Sequence, residues 1–239
     1  MAIPVRLAPP TTRRSLYYLV AGAALLLVFA GFARTYYLKA LFGTPALPPL
    51  VHLHGFVMSG WFALLFTQVY LVSTDRTAVH RRLGIAAAGW AGLVLVVGFA
   101  TAIHAARRGF TAPAGPPPLV FLAVPMMDLL VFSSLTGAAL LYRRRSDIHR
   151  RLMLMGSVAI LAPAIARLPL AAIRHGGLPV IFGSLLVLAT ACVAYDTWRQ
   201  RRLHPAFGWS LLVVVASVPL RIAVAGTGAW QRFAAWLVA

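Results

Sequence analysis

Seven apolar runs divide the chain, and each is long enough to cross a bilayer as a helix, which takes about 20 residues. The sequence is 61% hydrophobic and 11% charged, with a mean hydropathy of +0.84, so a water-soluble fold could not enclose its apolar surface. We therefore predict an all-α polytopic membrane protein with seven transmembrane helices in a single domain, residues 1–239. The runs cover residues 15–33, 48–73, 84–105, 118–142, 152–172, 178–198 and 207–226.

The basic residues between the runs predict the orientation of the helices, because cytoplasmic loops carry an excess of Lys and Arg. With the N-terminus in the cytoplasm, 14 basic residues lie on the cytoplasmic side, six lie outside and two lie within spans. We therefore expect a cytoplasmic N-terminus and an outer C-terminus. Anionic lipid headgroups are the expected partners of the cytoplasmic arginine clusters.

The remaining sequence outside the runs gives two further expectations. The tail 227–239 carries Trp230, Phe233 and Trp236, which favours a segment at the membrane interface over an eighth span. One Lys, no Glu and no Asn beside abundant Ala, Gly and Arg are typical of a high-GC bacterial genome. We therefore place the protein in the bacterial cytoplasmic (inner) membrane.

The short cytoplasmic turns repeat one pattern of Asp, His and paired Arg. It reads Asp75 to His80-Arg81-Arg82-Leu83-Gly84, then Asp147 to His149-Arg150-Arg151-Leu152-Met153, and finally Asp196 to Arg201-Arg202-Leu203-His204. In the structural interpretation, each Asp pairs with arginines and caps the next helix while the arginines face lipid headgroups. In a functional interpretation, His80 and His149 transfer protons or bind a partner.

Five ionisable residues fall inside the spans, where a charge costs about 2.5–3.5 kcal/mol at a helix centre. At 1.5 Å per residue, all five lie in the outer half of the membrane, with His52 nearer the surface. The five are His54, His104, Asp128, Arg167 and Arg221.

Prolines interrupt three of the spans that carry these residues. Pro125, Pro163 and Pro219 each remove a helix hydrogen bond and free the carbonyl four residues earlier. Those carbonyls belong to Phe121, Ala159 and Val215. Broken helices with charges at one depth predict a polar cavity that opens outward.

The charges of this layer do not balance. Asp128 is expected to pair with Arg167 or Arg221 in an intramembrane charge cluster, which leaves one guanidinium without a carboxylate. A buried unpaired guanidinium is costly, so an anionic group should approach it. A lipid headgroup, a substrate carboxylate or a haem propionate could supply that charge.

The histidines suggest a bound cofactor, because imidazole ligates haem iron, copper and zinc and a thioether ligates haem or copper(I). Met58 lies one turn from His54 on the same helix face. One arrangement is haem b held between His54 and His104, with Arg167 and Arg221 at its propionates. Another is copper bound by His52, His54 and His104. Ordinary hydrogen-bonded packing and proton transfer are the alternative roles for these histidines.

Several functions are excluded by what the sequence lacks. A single cysteine, Cys192, cannot form an intrachain disulfide or a thiolate metal site. The spans contain no lysine for a retinal Schiff base, and Asp128 is their only carboxylate in the outer layer. The arginines are spread over short loops, so nucleic acid is not an expected partner. No catalytic residue is assigned, and whether the protein is an enzyme stays open.

The order of the motifs resembles a known group of proteins. His54, Gln68, His80-Arg81-Arg82-Leu83-Gly84, His149-Arg150-Arg151-Leu152-Met153 and Arg167 are similar to a family of uncharacterised bacterial multi-pass membrane proteins, over about residues 50–170. The resemblance implies a polytopic membrane protein and no particular chemistry. The helix count and membrane histidines also resemble, in architecture only, cytochrome b561-like haem-binding bundles, whose regular four-histidine pattern is not evident in this chain.

These observations lead to three functional hypotheses. The first is a membrane redox protein with haem b or copper in the outer half of the bilayer, exchanging electrons with quinol or another membrane redox protein. The alternative is a transporter or receptor for a small anion that uses the intramembrane arginines. The third is an assembly or scaffold subunit.

Overall fold

The computed structural model describes residues 11–111 and 115–239, and within these ranges the chain is helical without strands. Seven helical segments are long and apolar enough to cross a membrane, so the predicted all-α seven-span architecture is confirmed. The helices are α1 (Thr11–Phe32), α2 (Pro49–Ser73), α3 (Thr77–Arg107), α4 (Pro118–Phe121), α5 (Ala123–Leu141), α6 (Ser146–Ala159), α7 (Ala162–Ile165), α8 (Ala171–Gln200), α9 (Pro205–Ala225) and α10 (Gly228–Val238).

The fifth span, formed by α6 and α7, lies at the centre of the bundle. In its most apolar stretch 72% of the residues are buried, against 22–39% in the other six spans. It packs against α1, α5, α8 and α9. Its mean hydropathy of 1.3 is also the lowest of the seven spans, because a helix surrounded by protein needs fewer lipid-soluble side chains.

Short turns join the helices at one end of the bundle, which we call the arginine-rich end. These turns are residues 74–76, 142–145 and 201–204. The opposite end, which we call the far end, holds the beginnings of α2, α4 and α8 and the ends of α3 and α9. The two ends provide separate settings for the polar residues described below.

The first turns of α3 and α6 begin earlier than the apolar runs indicate. The expected span at 84–105 is part of a 31-residue helix that begins at Thr77, about 46 Å long at 1.5 Å per residue. Asp75 adopts a left-handed conformation with φ of 60°, which reverses the chain within three residues. His80 and His149 therefore lie on helices and not in loops.

The prolines break two of the three spans where we expected them to. Helix α4 ends at Phe121 and α6 ends at Ala159, the residues four positions before Pro125 and Pro163. Helix α9 instead continues past Val215 with Pro219 inside it. The breaks supply short, irregular backbone at the far end of the fourth and fifth spans.

The tail forms α10, an 11-residue helix, about 16 Å long and too short to span a membrane. Trp230 Nε1 donates to the carbonyl oxygen of Leu119 at 2.8 Å, and Arg107 Nε donates to that of Val238 at 2.9 Å. Ala234 is buried, whereas Phe233 and Trp236 are exposed. The helix packs against α3, α4 and α9 at the far end, and its place at the membrane interface stays a prediction.

Candidate functional site

Arg221 is the partner of Asp128. Its Nη1 lies 2.8 Å from Asp128 Oδ1, and the two residues are 4% and 7% exposed. Nε donates to the carbonyl oxygen of Ser217 and Nη2 to Ser217 Oγ, both at 3.0 Å. The guanidinium carbon lies 4.2 Å from the ring centre of Phe182. The pair thus neutralises both charges and joins α5, α8 and α9.

Arg167 lies apart from this pair, so the structure divides the predicted cluster of three charges. It follows α7 at the far end, where its Nη1 donates to the carbonyl oxygen of Pro163 at 2.9 Å. Its guanidinium also lies over the ring of Phe32, 4.7 Å from the ring centre. Among the described residues it has no carboxylate partner. Arg167 is therefore the cation that the Asp128–Arg221 pair leaves uncompensated.

His54 lies on the face of α2 that packs into the bundle. Val57 and Trp61, three and seven residues further on, are buried, and Trp61 Nε1 donates to Ser157 Oγ of α6 at 3.2 Å. Met58 packs against the same core. His54 Nδ1 is enclosed and has no hydrogen-bond partner among the described residues. Arg167 is close enough to His54 to interact with it electrostatically.

His104 belongs to a different part of the far end. It lines a pocket of about 290 Å³ between the beginning of α2 and the end of α3, with Pro48, Val51, Thr101, Ala105, Arg108 and Phe110. Its Nε2 is enclosed and has no partner within the described ranges. Arg108, which the sequence interpretation treats only as a loop charge, lies one turn after His104 and contributes a second donor. His54 does not line this pocket.

The structure does not gather the three predicted copper ligands. His52 is exposed, and its ring lies 5.8 Å from that of Tyr36. Among the described residues, no three His, Cys, Asp or Glu side chains come together as a metal-binding group. The expected metal set of His52, His54 and His104 is therefore not assembled in this structure.

The residues present do not fit a haem between His54 and His104. The unpartnered nitrogens Nδ1 of His54 and Nε2 of His104 are free to ligate, but His54 does not line the pocket that His104 lines. Arg221, expected at a propionate, is already neutralised by Asp128. We therefore derive no chemistry through a haem.

A buried ion pair at the arginine-rich end was not among the predicted sites. Arg151, 0% exposed, donates from Nε and Nη2 to Asp196 Oδ2 at 2.9 and 2.8 Å and from Nη2 to Oδ1 at 3.1 Å. Its Nη1 donates to the carbonyl oxygen of Asp147 at 2.7 Å. The carboxylate of Asp147 lies 3.1 Å from His204 Nε2. The repeat of Asp, His and Arg in the turns was the available signal for this network.

The histidines of the first two turns also meet at this end. The rings of His80 and His149 lie 6.5 Å apart between centres and are nearly perpendicular. Gln68 of α2 contacts His80, and His149 contacts the carbonyl oxygen of Ala139 on α5. Four helices thus contribute to one polar cluster.

The comparisons with known proteins give no relative for this chain. No protein-family model, no curated protein and no solved structure matches it. The resemblances to the multi-pass family and to cytochrome b561-like bundles stay predictions.

Proposed function

We propose that the protein binds a small anion in the outer half of the membrane, as a receptor or transporter. The observation that supports this proposal is the charge balance of the far end. Asp128 neutralises Arg221, and Arg167 has no carboxylate partner among the described residues. Arg167 is exposed on the surface of the bundle, and a guanidinium that faces lipid there is costly without an opposite charge, so an anionic group is the natural partner of Arg167.

The surroundings of Arg167 favour a carboxylate or phosphate. Arginine carries five N–H donors in a planar fork that matches such oxyanions. One donor is used by Pro163, and no other hydrogen bond from the guanidinium is made within the described residues. His54, which interacts with it electrostatically, has an unpartnered Nδ1 and can add a neutral donor. We assign Arg167 and His54 as the anion-binding residues.

The pocket of His104 and Arg108 is consistent with the same chemistry at the outer surface. At about 290 Å³ it is near the lower size limit of small-molecule sites. Its walls are mostly apolar, with the imidazole and guanidinium as donors. We propose it as a second place where an anion can be held.

The first test measures anion binding to the protein in nanodiscs of zwitterionic phosphatidylcholine. Inorganic phosphate and acetate are the probes, with heat of binding and the midpoint of thermal unfolding as readouts. We expect Arg167→Gln to weaken binding about tenfold or more, because a hydrogen bond to a charged group contributes about 1.5–3 kcal/mol. Arg174→Gln, an exposed arginine of α8, is the matched control and should bind as the unchanged protein does.

A lipid headgroup is the other source of the same charge, and a second preparation separates it. Here phosphatidylglycerol replaces phosphatidylcholine and no anion is added. A response to free phosphate or acetate that depends on Arg167 supports the proposal. Stabilisation by phosphatidylglycerol alone, without any response to the free anions, would contradict it and identify Arg167 as a lipid contact.

The redox alternative rests on the unpartnered nitrogens of His54 and His104. A visible absorption spectrum and metal analysis of the purified protein test it. Stoichiometric haem or copper that is lost in His54→Ala and His104→Ala, but kept in the control His175→Ala, would replace the anion proposal. A stable preparation that binds neither anion nor cofactor would favour the scaffold hypothesis.

A further inference from the structure

The polar cluster at the arginine-rich end contains two adjacent imidazoles that the proposed anion site does not use. His80 lies near the beginning of α3 and His149 near the beginning of α6, with 6.5 Å between ring centres. Both side chains are partly exposed, so protons can exchange with the solvent. Their hydrogen bonds determine which nitrogen of each ring carries a proton.

His149 has its proton on Nδ1. This nitrogen lies 2.8 Å from the carbonyl oxygen of Ala139, which can only accept a hydrogen bond. In the neutral ring Nε2 therefore carries the lone pair. A proton can bind at Nε2 while the bond from Nδ1 to Ala139 is kept.

His80 has the opposite tautomer because of Gln68. In the amide orientation that satisfies both of its ends, the Gln68 nitrogen donates to His80 Nδ1 at 2.5 Å and to the carbonyl oxygen of His80 at 3.2 Å. The Gln68 oxygen then accepts from the backbone N–H of Gly84 at 3.0 Å. A second proton on His80 would have to bind at Nδ1, where the N–H of the Gln68 amide already donates a hydrogen bond. The amide would have to turn and lose the bond to Gly84.

We propose that this pair is a proton-binding site in which His149 takes up one proton at Nε2 and His80 stays neutral. The difference follows from the partners, since Ala139 accommodates both forms of His149 whereas Gln68 accommodates only neutral His80. Once His149 is charged, repulsion between the neighbouring rings further opposes a charge on His80. The pair therefore binds one proton and not two.

The charges around the pair are consistent with uptake of a single proton. Arg151 is neutralised by Asp196, and Asp147 lies against His204. Arg81 follows His80 directly and Asp75 lies in the turn before it. Arg145 and Arg150 flank His149. The guanidinium carbon of Arg150 lies 5.3 Å from the ring centre of Tyr17 on α1. Arginines thus outnumber carboxylates around the pair, which disfavours a second positive charge.

Nitrogen-15 NMR of histidine-labelled protein in nanodiscs tests the proposal, because imidazole nitrogen shifts report tautomer and charge. The titration covers the range in which histidine gains its proton, and His80→Gln and His149→Gln assign the signals. We expect His149 to change from the Nδ1–H form to the doubly protonated form. His80 should keep its Nε2–H form until the fold is lost.

Two glutamine variants test the reason for the difference. Gln68→Leu should release His80, which then samples both tautomers and gains a proton. Gln231→Leu, in α10 at the far end, is the control and should leave both rings unchanged. Protonation of His80 before His149, simultaneous protonation of both rings, or no protonation of either in the unchanged protein would overturn the proposal.

Discussion

The guanidinium of Arg221 is surrounded by partners that satisfy its charge and its geometry. It has a carboxylate, a serine hydroxyl, a backbone carbonyl and the face of an aromatic ring. In an environment without water, breaking such a pair leaves a charge whose desolvation is no longer compensated. Asp128 and Arg221 are therefore expected to depend on each other for stability.

A double-mutant cycle measures this dependence. Asp128→Asn and Arg221→Met should each lower the free energy of unfolding by about 3–5 kcal/mol, and the double variant should recover part of the loss because no unpaired charge remains. The control combines Asp128→Asn with Arg167→Leu and should be additive, since these residues do not touch. Additive effects for Asp128 with Arg221 would show that the pair contributes no coupling energy.

The sequence predicted a common layer for the charged residues, but it could not predict which of them are partners. Counting along the helices placed Asp128, Arg167 and Arg221 in one layer and left either arginine as a partner. The choice depends on which helices are neighbours and how each is rotated, and both are set by tertiary packing. The same limit applies to His54 and His104, which both lie at the far end although His54 is not part of the pocket that His104 lines.

At the scale of the helices, a few glycines determine how closely two neighbouring helices can pack. A Cβ on Gly31 of α1 would collide with the carbonyl of Ala164 on α7. By contrast, a Cβ on Gly89 or Gly92 of α3 would meet no atom within 4 Å. Gly31 is therefore required where the first span packs against the break in the central span.

Replacing these glycines should have opposite effects. Gly31→Ala should lower the free energy of unfolding by about 1–3 kcal/mol, as expected for overpacking. Gly92→Ala, the control in the same type of helix, should be neutral or slightly stabilising because Ala favours helix more than Gly does. Equal unfolding midpoints for the two variants, in the same detergent, would show that α1 can move away from α7 without cost.

Element boundaries were predictable where backbone chemistry sets them. The breaks at Phe121 and Ala159 agree with the hydrogen bonds that Pro125 and Pro163 remove, whereas Pro219 lies inside α9 without ending it. The beginning of α3 at Thr77 was missed, since the apolar run starts later than the helix. Its first turns are polar and are held by the turn geometry at Asp75 and by the contact with Gln68.

At the scale of the whole molecule, the seven spans were fully indicated by hydropathy, whereas the central place of the fifth was not. Hydropathy reports whether a helix can enter lipid. It does not report whether the helix faces lipid or protein in the final bundle. The low hydropathy of the α6–α7 span is, in retrospect, the mark of a helix enclosed by its neighbours.

The orientation of the bundle in the membrane is the prediction that belongs to this scale. The 14 basic residues assigned to the cytoplasmic side, against six outside, place the arginine-rich end inside and the C-terminus outside. A fusion of alkaline phosphatase after Ala239 should be active, and a fusion within the turn at Arg143–Arg145 should be inactive. The reverse pattern of activities would invert the topology.

The two buried ion pairs also determine when the bundle can be completed during synthesis. Asp128 precedes Arg221 by 93 residues, and Arg151 precedes Asp196 by 45. At about 5–20 residues per second, the ribosome adds Arg221 roughly 5–20 s after Asp128. The fourth span therefore enters the bilayer before its counter-charge exists. The pair can form only after the seventh span has been made, so the fourth span reaches its final contacts only then.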